Sequence, residues 1–165
     1  MAASDDADIA FGRFVMRSKP LLAKSAWFLC GDMELAADLV QETYVKTYIA
    51  WGRVRREEAL AYARRVLVNV NIDHLRKRHG EVALADAQVI ADNHDMQEAV
   101  AARAQVASWL AVLPTRQRQV VVLRYLQDLS DNDTAETLGI SVGAVKTNAS
   151  RALATLRSVI PQGAL

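Results

Sequence analysis

The chain has 165 residues, with 20 Lys and Arg against 19 Asp and Glu for a formal net charge of +1, and its 52% hydrophobic content is enough to bury the core of one domain or of two small ones. No apolar run approaches the ~20 residues of a membrane span, and the amino end, MAASDDADIAFG, is acidic rather than a charged-then-apolar leader, so the expected location is the cytoplasm, without membrane insertion. Cys30 is the only cysteine, which excludes an intrachain disulfide and a cysteine zinc cluster; His74, His79 and His94 have no ligand spacing on one helical face, so neither metal nor cofactor is expected.

Apolar side chains recur at helical spacing along most of the chain and no alternating strand pattern appears, so the fold class expected is all-α. The first helix is predicted over residues 9–29, with a turn at Gly31-Asp32. The second, over 33–51, carries Ala36, Val40, Tyr44 and Tyr48 on one face with Leu35 and Leu39 beside them, while Glu34, Asp38 and Glu42 stack at i, i+4 on the other. Like charges at that spacing disfavour an isolated helix by roughly 0.2–0.5 kcal/mol per pair, and pairing of Glu42 with Lys46 offsets only part of this. An acidic ridge that includes Gln41 suits a basic partner; an ordinary solvated face is the equal alternative.

A third helix is predicted over 57–78, after a turn at Gly52. Ala63, Val66, Leu67 and Val70 form its apolar stripe, and Arg65, Asn69, Asp73 and Arg76 follow i, i+4, i+8, i+11 along a polar one. Such a stripe offers fixed donors and acceptors to nucleic acid, or pairs internally through Arg65–Asp73 and Asp73–Arg76 on a plain surface helix. Residues 53–79 hold eight bases against three acids, residues 80–100 hold five acids and no Lys or Arg, and residues 101–165 hold seven bases against four acids. Two basic modules are therefore separated by an acidic stretch. Residues 80–95, rich in alanine and acid and without aromatics, read as a flexible linker between two helical domains.

Helices over 96–113 and 115–126, divided at Pro114, lead to the most informative segment, SDNDTAETLGISVGAVKTNASRALATLR from Ser130 to Arg157. Ser130 and Asp133 can cap a helix reciprocally, each side chain reaching a free backbone N–H, which predicts a helix over 131–138. Gly139 supplies the left-handed turn and Ser141 caps a helix over 142–160. Ala135 is small enough for a close crossing, and Leu138, Ile140 and Val145 face the shared core. Lys146, Thr147, Asn148, Ser150 and Arg151 are left outward, where they can donate to phosphates and base edges in a major groove. A capped helix pair of purely structural use is the alternative.

The ordered set LAADLVQETYVK (35–46), AYARRVLVN (61–69) with Asp73 and Arg76, LPTRQR (113–118) and the helix-turn-helix resembles the extracytoplasmic-function (group IV) sigma factors of bacterial RNA polymerase, over nearly the whole chain. The resemblance implies two small helical domains, a sigma-2-like one over 1–79 and a sigma-4-like one over 96–165, joined by the acidic linker 80–95. It implies docking of Asp38, Gln41 and Glu42 on the clamp helices of the largest polymerase subunit, with the carboxy-terminal domain near the flap. Minus-ten DNA would meet the loop 51–58 and the set Arg53, Arg55, Arg56, Arg65, Asn69, Asp73, Arg76 and Lys77. There an extruded base is captured, at a cost of a few kcal/mol of lost stacking. Lys146, Thr147, Asn148 and Arg151 would read the minus-thirty-five element, with Arg116, Arg118 and Ser141 nearer the backbone, and the linker would thread toward the RNA exit path. Ala144 stands where the family usually has Thr and Asn148 where a basic residue is common, so the resemblance does not carry the family's minus-thirty-five sequence or its phosphate contacts over to those positions.

The short tail 161–165 implies no added sensory domain, with regulation by an anti-sigma protein that covers both DNA-binding faces. The expected protein is a monomer when free, without catalytic activity of its own, and associated with the nucleoid through polymerase. The rival reading is a one-component repressor that dimerises through its amino-terminal helices and binds a palindrome unaided. An enzyme is disfavoured, because the sequence shows no glycine-rich phosphate loop and no evident nucleophile and base.

Overall fold

A long helix, α1 (Ala2–Cys30), opens the chain well before the Ile9 start that periodicity suggests. The computed structural model describes residues 2–80 and 97–164, so the proposed linker lies outside the described residues apart from Gly80. Asp5 sits in the first turn of α1, where the helix dipole favours negative charge. The Tyr48 hydroxyl donates to Asp8 Oδ1 at 2.7 Å and Trp51 Nε1 donates to the Ala7 carbonyl at 3.1 Å, so tertiary bonds hold residues that carry little helical pattern themselves. Gly31, at φ 72°, turns the chain, and its N–H closes on the Trp27 carbonyl at 2.7 Å.

Asp32 then caps α2 (Met33–Ala50), its carboxylate accepting from the Leu35 N–H at 2.9 Å. The buried face of α2 includes Thr43 and Thr47 as well as Ala36, Leu39 and Val40; both hydroxyls donate back to carbonyls one turn earlier, Leu39 and Thr43, at 2.7 Å. Phe11 and Phe14 of α1 pack against Tyr44 and Trp51, with Phe11 edge-on to Tyr48 and Trp51 at 5.0 Å. Tyr48 is thus exposed on one side rather than fully in the apolar face. A 3-10 turn (Arg56–Glu58) leads into α3 (Ala59–Gly80), which buries Ala63, Leu67, Val68 and Val70 against α1 and α2.

The second half comprises α4 (Gln97–Ala111), α5 (Thr115–Val121), a π-helical turn (Val122–Leu126), α6 (Asp131–Leu138) and α7 (Val142–Val159). Where one helix over 115–126 is expected, α5 gives way to the π turn, the Leu129 N–H reaching the Leu123 carbonyl at 3.0 Å and Asp128 adopting φ 51°. Four consecutive residues, Val120 to Leu123, are buried there, so the backbone is hemmed in on several sides. The Ser130 hydroxyl accepts from the Asp133 N–H at 3.0 Å as expected. The Asp133 carboxylate departs from expectation, accepting the Ser130 hydroxyl proton at 2.6 Å instead of a backbone N–H. After α6, Gly139 (φ 63°) and Ile140 donate to the carbonyls of Glu136 and Ala135 at 3.3 and 3.1 Å, a left-handed stop that aims α7 across α6.

The two halves are packed together. Helix α1 lies against α4 and the π turn, α3 lies against α6, and the buried apolar side chains form one contiguous cluster from Leu22 and Leu67 to Leu123 and Val145. No strand occurs among the described residues.

Open space surrounds the position a Cβ would take at Gly139, so Gly139→Ala tests the backbone conformation alone. The expected loss is about 1–2 kcal/mol, the strain of an L-residue in the left-handed region, read from the urea midpoint at unchanged slope.

Candidate nucleic-acid interface and docking surface

Helix α7 separates its residues cleanly. Val145, Ala149, Ala152 and Leu156 are buried, while Lys146, Thr147, Ser150 and Arg151 are exposed on the opposite side. The Ser141 hydroxyl accepts from the Ala144 N–H at 3.1 Å, so its oxygen is engaged in fixing the start of the helix. Asn148 is half-buried and its Nδ2 donates to the Ala144 carbonyl at 2.8 Å, leaving its carbonyl oxygen as the free edge. The outward face thus presents a lysine and an arginine about one turn apart with hydroxyls between them.

Arg116 and Arg118 sit elsewhere. Arg116 is half-buried and donates to Gln119 Oε1 at 3.1 Å. Arg118 is a staple: its guanidinium donates to the carbonyls of Leu110, Ala111 and Leu113 at the end of α4 and to Leu29 at the end of α1, at 2.9 to 3.1 Å. Burial pulls its pKa down from the ordinary value. Four of an arginine's five N–H donors are committed to backbone carbonyls, which leaves one for the contact near the DNA backbone that the resemblance implies. Cys30 lies beside it, half-buried, with its thiol pushed up to about 11 by burial, which makes it inert at neutral pH.

On the amino-terminal half, Asn69, Asp73, Arg76 and Lys77 are exposed along α3, and Arg53, Arg55 and Arg56 are exposed in the loop before it. Arg65 does not pair within the stripe; its Nη2 meets Glu136 of α6 at 2.8 Å. Arg56 stacks over the Trp51 ring, 4.1 Å from its centroid, and Arg55 lies 3.7 and 3.9 Å from Glu58 and Glu57. The loop is thus shaped by its own charges.

The acidic ridge of α2 is exposed at Asp38 and Gln41. Glu42 is held on both sides, by Lys46 Nζ and by His74 Nε2 of α3, each at 3.1 Å, and the His74 hydrogen bond first, then Lys46, keeps its carboxyl below the ordinary carboxylate range. Sequence reasoning missed Val45 and Ile49, which stand 55% and 72% exposed one and two turns beyond Gln41. The signal was present as an i, i+4 apolar pair off the buried stripe.

An all-helical chain with a capped helix-turn-helix, a basic stripe on a separate helix and an acidic, partly apolar ridge on another defines a protein of the helix-turn-helix transcription class. Residues 14–81 match the family model of sigma-70 region 2, and residues 103–156 match that of sigma-70, region 4. The RNA polymerase sigma-E factor of Streptomyces avermitilis is 38% identical over 150 residues, covering 90% of this chain and 84% of that protein. The ECF RNA polymerase sigma factor SigM of Mycobacterium tuberculosis is 31% identical over 154 residues, 92% of this chain and 77% of that one. Among solved structures, CnrH in complex with the cytosolic domain of CnrY is 28% identical with a TM-score of 0.71, covering 95% of this chain and 93% of that one. The sigma factor RpoE of Bartonella quintana, in complex with the anti-sigma factor NepR, shares the fold at 23% identity and a TM-score of 0.74, covering 90% and 95%. The chain belongs to the extracytoplasmic-function sigma factors of RNA polymerase, and as an alternative sigma factor it binds core polymerase and directs promoter-specific initiation.

Arg118→Lys should lower stability by about 1–3 kcal/mol, because an ammonium cannot span four carbonyls and leaves part-buried ones unpaired; a loss of duplex affinity at unchanged stability would assign Arg118 to DNA instead. Glu42, with its folded pKa below the unfolded one, stabilises the fold above the unfolded value, and that contribution disappears as pH falls through the folded one. The acid limb of urea stability should accordingly be shallower in Glu42→Gln than in the parent.

Proposed function

We propose that residues 1–79 form the polymerase-docking and minus-ten unit, residues 80–95 a linker that threads toward the RNA exit path, and residues 96–165 the minus-thirty-five unit. In this reading Lys146, Thr147 and Arg151 of α7 enter the major groove, with Asn148 and Ser141 at its edge. The observation that carries it is the exposure of these donors on a helix whose opposite face is buried and whose start is capped. Arg53, Arg55, Arg76 and Lys77 meet minus-ten phosphates, Arg65, Asn69 and Asp73 hold the opened strand, and Arg56 shapes the loop through its stack on Trp51.

Asp38, Gln41 and Glu42 dock on the basic clamp helices of the largest subunit, and Val45 and Ile49 supply the apolar anchors that such an interface needs at its centre. The carboxy-terminal unit rests near the flap. The free protein is a monomer in the cytoplasm, reaches the nucleoid through polymerase, and catalyses nothing itself. A regulatory protein of the anti-sigma kind completes the reading, supported by the likeness to CnrH, which is solved with the cytosolic domain of CnrY.

Reversing Asp38 and Glu42 to Lys together should abolish capture of core polymerase while leaving the full chain's affinity for duplex minus-thirty-five DNA unchanged; loss of both activities would remove the docking assignment. Arg151→Ala should weaken that duplex by about 1–3 kcal/mol and relax sequence preference at one base pair. An equal loss on every sequence would make Arg151 a phosphate contact.

A further inference from the structure

The carboxylate of Glu42 is held from two helices. Its Oε1 meets Lys46, one turn on along α2, at 3.1 Å, and its Oε2 meets Nε2 of His74 on α3, 32 positions further along the chain, also at 3.1 Å. A carboxylate only accepts, so Nε2 carries the proton in this contact whether the ring is neutral or charged. Each carboxylate oxygen keeps a lone pair beyond the one it spends. With side chains 39% and 30% exposed, Glu42 and His74 lie at the open edge of the α2 ridge that also carries Asp38, Gln41, Val45 and Ile49, not in the core.

Helix α3 packs against α1, α2 and α6. From α2, His74 faces Glu42, with Asp38 and Lys46 one turn to either side of it; on α3 itself Asp73 precedes it and Lys77 and Arg78 follow within about one turn, all three exposed. Among the described residues, no acid of α1 or α6 lies within 4.0 Å of the His74 ring and no base of either within 4.0 Å of the Glu42 carboxylate. A lone glutamate on a helix surface samples several rotamers, and fixing it when a partner binds costs side-chain entropy. The bonds from His74 and Lys46 fix Glu42 beforehand, with lone pairs left for a basic partner. Imidazole is the side chain that ordinarily changes charge between about pH 5 and 8. Asp38, Glu42 and Lys46 sum to one negative charge while the His74 ring is neutral and to zero once it is protonated. The imidazolium also grips the carboxylate through a charge-assisted bond, which competes with an incoming base.

We propose that His74 is a positioning residue of the polymerase-docking surface: its neutral ring holds Glu42 in the docking pose with the negative charge intact, and protonation of the ring weakens docking. The docking surface thereby draws on α3 as well as α2. The proposal rests on the assignment of Asp38, Gln41 and Glu42 to a basic surface of polymerase.

The test measures the affinity of the full chain for purified core polymerase at about pH 8 and about pH 6, at constant ionic strength. His74→Gln keeps a neutral N–H donor and cannot titrate; His79 and His94 are common to both chains, so their titration cancels in the comparison. On acidification the parent should lose about two- to fivefold more affinity than His74→Gln. At the higher pH His74→Ala should dock about two- to fivefold more weakly than the parent, and His74→Gln should recover most of that loss. In a Glu42→Gln background, adding His74→Gln should leave the pH dependence unchanged. Equal pH dependence in parent and His74→Gln, undiminished docking by His74→Ala, or an effect of His74 that survives in Glu42→Gln would each overturn the proposal. So would docking losses that run parallel to losses in urea midpoint, the pattern of a merely structural contact. Capture of polymerase by the chain with both Asp38→Lys and Glu42→Lys would instead strike the docking reading itself, whatever the pH profile.

Discussion

One guanidinium holds the two halves in register. The last carbonyls of any helix lack partners within it, and here the ends of α1 and α4 converge on the same half-buried guanidinium. Arg118 answers both ends at once, with a planar fork that reaches Leu29 on one side and Leu110, Ala111 and Leu113 on the other. The contiguous core that runs from Leu22 to Val145 lies beside this junction. Helix α6 lies over α3 in the same packed arrangement, where Arg65 pairs with Glu136.

The charges of the chain divide into those already matched within the fold and those left for partners. Arg118, Arg124, Arg65 and Glu42 have internal partners, Arg124 lying as an ion pair 2.7 Å from Asp131 between the π turn and the start of α6. Lys146, Arg151, Arg76 and Asp38 stand outward on helices whose other faces are buried. Exposed charges held on rigid elements give specificity and fast encounter rather than stability, as a protein that must find polymerase and then read DNA requires. The matched ones set the position of those elements.

The helix-turn-helix was legible because its signals are local: Ser130, Gly139 and Ser141 act within one turn of their own positions, and the bounds of α6 emerge as the spacing implies. The buried stripe of α3 followed from periodicity in the same way. What escaped depends on distant partners. The helical start before Ile9 is tied down by Tyr48 and Trp51, Thr43 and Thr47 are buried because their own backbone satisfies them, and the π turn answers crowding around Val120 to Leu123. The resemblance placed Arg118 near the DNA backbone, and nothing local in the sequence hints that four carbonyls await it. Arg65 looked like a member of an open stripe because nothing in its neighbourhood announces Glu136.

The most direct test of the whole picture is transcription from fragmented genomic DNA by purified core polymerase, with and without the protein, with RNA start sites mapped. New starts that share two upstream sequence elements at fixed distances would match one surface on α3 and another on α7 acting together on polymerase. No new starts, beside unaided binding of a dimer to a palindrome, would contradict it.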